Sequence, residues 1–256
     1  SYFAKAHDPA LFTDDDYDYE QDTRLQLEKE ARVYEHLLQH GFEHIPNFSF
    51  HDKSILLLAA LKAEDGWHWR MPASLDLQKR YLSEILKVLK KLENIPSYSY
   101  DTKTPEWLSV FQKESWDSIT PDEATRLFKQ GLKKWAGIMR PDTLKEAKQL
   151  GKVISSIERP NLLKSEGLFN HHDARQPNIA WHPEHGTQLV DWSRADPGVE
   201  NGDTTMFLID LHKRGYNLPI GLAKYFNKDY ALCMMGYWLK RSSLAPNDDS
   251  NTVRYH

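Results

Sequence analysis

The sequence predicts an α+β protein of two lobes, and three observations carry that prediction. Residues 1–61 alternate strand-like runs with one strongly periodic helix, and the segments after them are mostly of helical period. A polar loop and a hairpin interrupt the helical part between Leu168 and Trp192. The expected boundaries are a small, strand-rich lobe over 1–61 and a large, mainly helical lobe over 62–256. At 256 residues the chain is long enough to bury a sizeable core in one large domain or two modest lobes.

The elements follow in order. Tyr2–His7 reads as a short strand ending at Asp8-Pro9. The acidic run Asp14–Glu20 has no periodicity and reads as an exposed loop. Leu27, Ala31, Tyr34 and Leu38 share one face of a helix from about Leu25 to Gln39, which Gly41 ends. Asn47–His51 and Ser54–Leu61 read as strands joined at His51-Asp52-Lys53. The second is continuously apolar, as expected for a strand covered on both faces. Lys62–Pro72 is polar and irregular and reads as a linker between lobes. Helices are expected over Leu75–Leu92, Glu106–Trp116, Pro121–Ala136 and Thr143–Ile157, with a loop at Pro96–Pro105. Gly167–Asn170 reads as a strand. Asn178–Trp181 and Gln188–Trp192 read as a hairpin around Pro183-Glu184-His185-Gly186. A Gly/Asp-rich loop, Asp196–Asp203, precedes helices over Thr204–Arg214 and Ile220–Arg241.

Composition narrows the function. The net charge of -4 lacks the basic surplus of a nucleic-acid binder, so no nucleic-acid partner is expected. The longest apolar runs fall far short of the ~20 residues that span a bilayer, so no membrane partner is expected either. The single cysteine, Cys233, excludes an internal disulfide and suits the cytoplasm. Nothing in the sequence points to a protein partner.

Leu168–Trp192 carries the chemistry. Asp173 sits in the loop after a strand, Asn178 follows five residues later, and Asp191 ends the hairpin 18 residues after Asp173. A carboxylate at a loop tip can accept the proton of an attacking hydroxyl. An amide oxygen and a second carboxylate on adjacent strand ends can hold Mg²⁺, which prefers hard oxygen ligands.

These residues resemble the catalytic loop and metal site of the protein-kinase-like superfamily, H-x-D-x-x-x-x-N followed by a metal-binding Asp. They are most similar to aminoglycoside phosphotransferases and choline kinase-like relatives. Those have His-Gly-Asp where this chain has His171-His172-Asp173, and Val/Ile-Asp-Trp where it has Val190-Asp191-Trp192. The resemblance implies a two-lobed kinase-like fold and Mg²⁺-dependent transfer of the γ-phosphoryl of ATP or GTP to a hydroxyl of a small molecule. It implies Asp173 as base, Asn178 and Asp191 as metal ligands, and His171 as support for the loop. Arg175 is placed to neutralise charge on the transferring group. Lys5 corresponds to the lysine that contacts the α/β-phosphates, and Ala59, Ala60 and Leu61 to the hinge that binds adenine.

The partner of Lys5 should be a glutamate on the next helix, where Glu28, Glu30 and Glu35 compete. Glu30 falls inside the apolar arc and the other two at its edge. A buried carboxylate needs a cation, so Glu30 is the choice. After the metal aspartate, Asp196, Glu200 and Asp203 stand against Arg194, suggesting a wall for an amine-bearing acceptor such as an amino sugar or aminoglycoside.

Two departures stand out. The first glycine is Gly41, so the family's Gly-rich loop is not in this sequence, and its expected place is upstream of Ser1. His172 also stands where the family has glycine. Two other readings compete: a non-catalytic kinase-like nucleotide-binding module, and a phosphohydrolase holding a transition metal with His171, His172, Asp173 and Asp191.

Overall fold

The computed structural model describes residues 1–6, 17–52, 54–98, 119–157 and 168–242. In chain order the elements are β1 (Tyr2–Ala6), α1 (Tyr17–Gln39), β2 (Phe48–His51), β3 (Ile55–Ala59), α2 (Leu75–Glu93), α3 (Pro121–Trp135), α4 (Pro141–Val153), β4 (Leu168–Asn170), β5 (Ile179–His182), β6 (Gly186–Leu189), β7 (Asp196–Gly198), α5 (Gly202–Lys213) and α6 (Lys228–Ser242). Helices and small sheets mix, as an α+β fold of the kinase-like type requires. No described helix is long and apolar enough to cross a membrane. The expected helix at Glu106–Trp116, and with it Trp107 and Trp116, lies outside the described residues, as does Asp14–Asp16.

The chain divides into two compact units, Ser1–Lys103 with Lys164–Asn227, and Thr104–Leu163 with Lys228–His256. In the first, three antiparallel strands take the order β1-β3-β2, with Lys5 opposite Leu56 and Phe50 on its other side. Leu56 and Leu58 are buried, as are Leu27, Ala31, Tyr34 and Leu37 of α1. Leu38 is exposed, so the buried stripe turns to Leu37 in the last turn of the helix. Ile55 is exposed and Leu57 and Ala59 only half-buried, so β3 is covered on one face and not on two.

Two further expectations change here. α1 begins at Tyr17 instead of near Leu25, because apolar periodicity marks only the buried stretch of a helix and not its polar extension. Lys62–Pro72 is no free linker. His68 exchanges backbone bonds with Trp181 (2.7 and 3.0 Å), Trp69 Nε1 donates to the Leu61 carbonyl (2.9 Å), and Met71 is buried.

β5 and β6 form the expected hairpin, with Ile179 opposite Leu189. The fully buried rings of Trp181, Trp192, Tyr34, Tyr81, Phe169 and Phe207 make up much of the first unit's core. The Gly/Asp-rich loop is in part a strand. Asp196 lies opposite Asn170 and Gly198 opposite Leu168, too short a pairing to leave an alternating pattern. The long C-terminal helix is two pieces, a 3₁₀ turn over Ile220–Tyr225 and then α6. Phe226 is extended between them, and Asn227 is tied down by its N–H to Thr205 Oγ1 (2.7 Å) and its Nδ2 to the Glu200 carbonyl (2.8 Å).

The second unit is helical. α3 starts where sequence signals place it, with Pro121 in the first turn and Thr120 Oγ1 accepting from the Glu123 N–H (3.2 Å). Its core is Ile119, Ala124, Leu127, Ile154 and Leu239.

Gly198 gives a test of the β4–β7 pair. A Cβ there would overlap Asn170 Oδ1, whose side chain is fully buried. Gly198→Ala should therefore lower the free energy of unfolding by about 1–3 kcal/mol in urea titrations. Gly137→Ala, which meets nothing within 4 Å, should change it by less than about 0.5 kcal/mol. Equal stabilities for the two variants would show the pair to be loose.

Candidate active site

β4 ends at Asn170 and hands the chain to His171-His172-Asp173. This turn is held by one carboxylate. Asp203, in the first turn of α5 and fully buried, accepts from the His171 N–H (2.6 Å), the His172 N–H (2.8 Å) and Asn170 Nδ2 (3.2 Å). A helix N-terminus favours negative charge at that position. Asp203 is therefore no part of an acidic substrate wall, because both its oxygens face the loop.

His171 has its two ring nitrogens assigned by their neighbours. The Val190 carbonyl can only accept, so Nε2 carries the proton it donates there (2.9 Å). Nδ1 then accepts from the Asp173 N–H (3.2 Å), which fixes the tautomer. The ring lies against Trp192, with centroids 4.4 Å apart.

The Asp173 carboxylate receives two parallel bonds from Arg175, Nε to Oδ1 (2.5 Å) and Nη2 to Oδ2 (2.8 Å). Asn178 Nδ2 donates to Asp173 Oδ2 (3.0 Å) and to its carbonyl (2.9 Å), which turns the amide oxygen of Asn178 away from that carboxylate. The Val190 N–H bonds to the Asn178 carbonyl (3.0 Å), setting Asn178 and Asp191 on neighbouring stretches of backbone.

Lys5 joins the two ends of the site. Its Nζ lies 3.0 and 2.9 Å from the two oxygens of Glu30 and 2.9 Å from Asp191 Oδ1. Glu28 instead pairs with Arg32 along the helix (2.8 Å), and Glu35 is exposed. Burial alone would push the Asp191 carboxyl up and the Lys5 ammonium down. Their attraction outweighs it, holding Asp191 below the usual carboxylate range and Lys5 above the usual lysine value, with Glu30 adding to the latter. Burial raises Glu30 despite Lys5.

The remaining candidates separate. The Ala59 N–H bonds to the Asn47 carbonyl (2.7 Å) and the Ala60 N–H to that of Ser1 (3.1 Å). Among the described residues the Ala60 carbonyl and the Leu61 N–H carry no hydrogen bond. Glu200 is paired with Lys90 (2.7 Å), which also binds Glu93 (2.9 Å). Asp196 sits in the field of Lys29 and His172, its carboxyl raised by burial against both.

As a metal site, Asn178 and Asp191 offer an amide oxygen and a carboxylate kept ionised, a hard donor set that fits Mg²⁺. Among the described residues no three His, Cys, Asp or Glu side chains converge as metal ligands. Both ring nitrogens of His171 are already engaged, so the four-ligand transition-metal centre of a phosphohydrolase does not form.

Residues 12–215 match the protein family described as Phosphotransferase enzyme family (APH). The chain belongs to this family. It is thereby a member of the protein-kinase-like superfamily, with the aminoglycoside phosphotransferases and choline kinase-like enzymes, and a kinase-like phosphotransferase. No curated protein matches the chain.

Three buried polar residues of this phosphotransferase had no role in the sequence reading. Asp210 Oδ2 accepts from the Gln176 N–H and from Arg214 Nε (both 3.0 Å), and Gln176 Nε2 donates to Tyr81 Oη (3.3 Å). Asp210 interrupts the apolar run of α5, a signal that could have marked it. Lys29 is the third, and lysine on a helix flank carries no such signal.

His172, in the glycine position of the family motif, has φ 58°, a left-handed conformation that glycine adopts without penalty. His172→Gly should leave stability near that of the native chain, since backbone relief offsets the lost bond from Nε2 to the Pro197 carbonyl (3.2 Å). His172→Val should cost about 1–3 kcal/mol. Burial also holds the His172 imidazole below the usual histidine value. Its unfolded form then takes up the proton first, and stability falls as pH drops through and below 6.5. Urea titrations at pH 7 and pH 5 should show a larger loss for the native chain than for His172→Gly. A Val variant as stable as the Gly variant would rule out backbone strain.

Proposed function

We propose that this phosphotransferase moves the γ-phosphoryl group of ATP or GTP to a hydroxyl of a small molecule, with Mg²⁺, in the cytoplasm. The observation that carries the reading is the meeting of Lys5, Glu30 and Asp191 from three distant parts of the chain, with Asn178 and Asp173 on the adjoining loop. Residues 1–61 would act as the small lobe and Ala59–Leu61 as the hinge, where the Ala60 carbonyl and Leu61 N–H suit the edge of a purine.

Asp173 accepts the proton of the attacking hydroxyl, on the lone pairs that Arg175 and Asn178 leave open. Asn178 fixes the carboxylate's direction through Oδ2, and His171 fixes its backbone through the Asp173 N–H. Arg175 lies beside the base, where its remaining N–H groups can meet charge on the transferring group. Lys5, held by Glu30, places an ammonium for the nucleotide phosphates. Bound at Asn178 and Asp191, Mg²⁺ would supply neutralisation of phosphate charge. These residues contribute orientation and electrostatics, which phosphoryl transfer chiefly needs.

The acceptor is a hydroxylated small molecule. Asp203 spends both oxygens on the loop and Glu200 pairs with Lys90, which weighs against an acidic wall for an amine. The presence of the base and both metal ligands weighs against a non-catalytic module.

Asp173→Asn should lower turnover by roughly 10²–10⁴ while nucleotide affinity stays within about twofold. Asp191→Ala should remove Mg²⁺-dependent nucleotide binding measured by calorimetry. A coupled ADP- or GDP-release assay over amino sugars, aminoglycosides, macrolides and amino alcohols supplies the turnover. Undiminished turnover in Asp173→Asn would remove it as the base, and nucleotide binding indifferent to Asp191 would sink the metal assignment.

A further inference from the structure

Asp191 is the N-cap of a short 3₁₀ turn, Trp192–Arg194, closed by the bond from the Ala195 N–H to the Trp192 carbonyl (3.0 Å). The fully buried ring of Trp192 anchors this turn in the core. The turn brings the next residue but one back to the carboxylate. Ser193 Oγ donates to Asp191 Oδ1 (3.3 Å), and the direction is fixed because an ionised carboxylate only accepts. The turn itself has no need of that hydroxyl, since its closing bond joins two backbone groups.

Lys5 Nζ donates to the same oxygen (2.9 Å). A carboxylate oxygen has two lone pairs, so Oδ1 holds one donor for each. Among the described residues Oδ2 holds none, and the Asp191 side chain is 39% exposed. A cation that reaches Asp191 therefore meets one open oxygen and one committed oxygen.

Divalent ions differ in what they ask of such a group. Mg²⁺ demands a small, near-octahedral shell and keeps several waters, so a single carboxylate oxygen serves it. Ca²⁺ builds a larger, looser shell and often takes both oxygens of one carboxylate. Committing Oδ1 costs the first ion little and removes a ligand from the second.

We propose that Ser193 is a positioning residue which keeps Asp191 Oδ1 engaged, presents Oδ2 to the metal, and so selects Mg²⁺ over Ca²⁺. This rests on the assignment of Asp191 as a metal ligand. Lys5 shares Oδ1 but is also the ammonium placed for the nucleotide phosphates, so Ser193 is the donor that stays when a nucleotide draws Lys5 away.

The test is calorimetry of ADP or GDP binding to the full chain, with Mg²⁺ or Ca²⁺ in excess in both cell and syringe. The native chain should bind the Mg²⁺ complex about 10-fold more tightly than the Ca²⁺ complex. Ser193→Ala should lower that ratio about fivefold, the worth of one hydrogen bond. Ser193→Thr, which keeps the hydroxyl, should hold it near the native value. A hydroxyl that served only the fold would weaken both complexes alike and leave the ratio unmoved. Should Ser193→Ala not fold, Ser193→Gly reads the same loss. An unmoved ratio, or a native chain that takes the two complexes equally, would overturn the proposal. Asp191→Ala tells the two readings apart. If it binds both complexes as the native chain does, the metal assignment falls and the proposal with it. If it loses both, that assignment stands and the ratio in the Ser193 variants decides alone.

Discussion

One ammonium holds the site together. Lys5 comes from an edge of the three-stranded sheet, Glu30 from the helix behind it, and Asp191 from the segment after the hairpin. The Glu30 carboxylate would be costly on its own in so buried a place, and the half-buried lysine is balanced by it. Together they form a triangle with one excess negative charge, partly exposed at Asp191. That residual charge suits the Mg²⁺ proposed to bind there. The Trp192 N–H, donating to Glu30 (3.3 Å), ties the same carboxylate to the backbone beyond Asp191.

The loop that carries Asp173 depends on the opposite kind of arrangement, a single carboxylate collecting several donors. Asp203 takes up two consecutive backbone N–H groups and an amide, and Asp210 takes up the Gln176 N–H and Arg214. Two turns of one helix thus pin the start and the middle of a segment whose one regular piece is the 3₁₀ turn Gln176–Asn178. Such a loop would otherwise be among the easiest parts of the fold to open.

The site was legible in the sequence where spacing is set by covalent chain length, as in Asp173 to Asn178, or by helix period, as in the choice of Glu30 over Glu28 and Glu35. The hairpin and most helices were legible for the same reason. What the sequence hid depended on contacts between distant segments. Asp203 looks like a loop acid until His171 and His172 are seen to donate to it. Lys62–Pro72 looks like a linker because its partner, Trp181, lies far along the chain. β7 is three residues long and contains both Pro and Gly, so no alternation betrays it. Leu37 and Leu38 are adjacent leucines, and only packing decides which of them is buried.

The backbone conformations of His172, Asp191 and Asn201 bear on how such a sequence can drift. All three have positive φ without being glycine, and they lie in the turn before Asp173, just after the β5–β6 hairpin and at the start of α5. Asp and Asn enter this region readily and β-branched residues scarcely at all. At these positions the neutral network is narrow, restricted to glycine, asparagine, aspartate and a few others. A change from glycine to histidine at position 172 is a move within that network. Lineages can explore new side chains beside β7 there without rebuilding the loop, and so alter the surroundings of Asp173 while its own contacts stay in place.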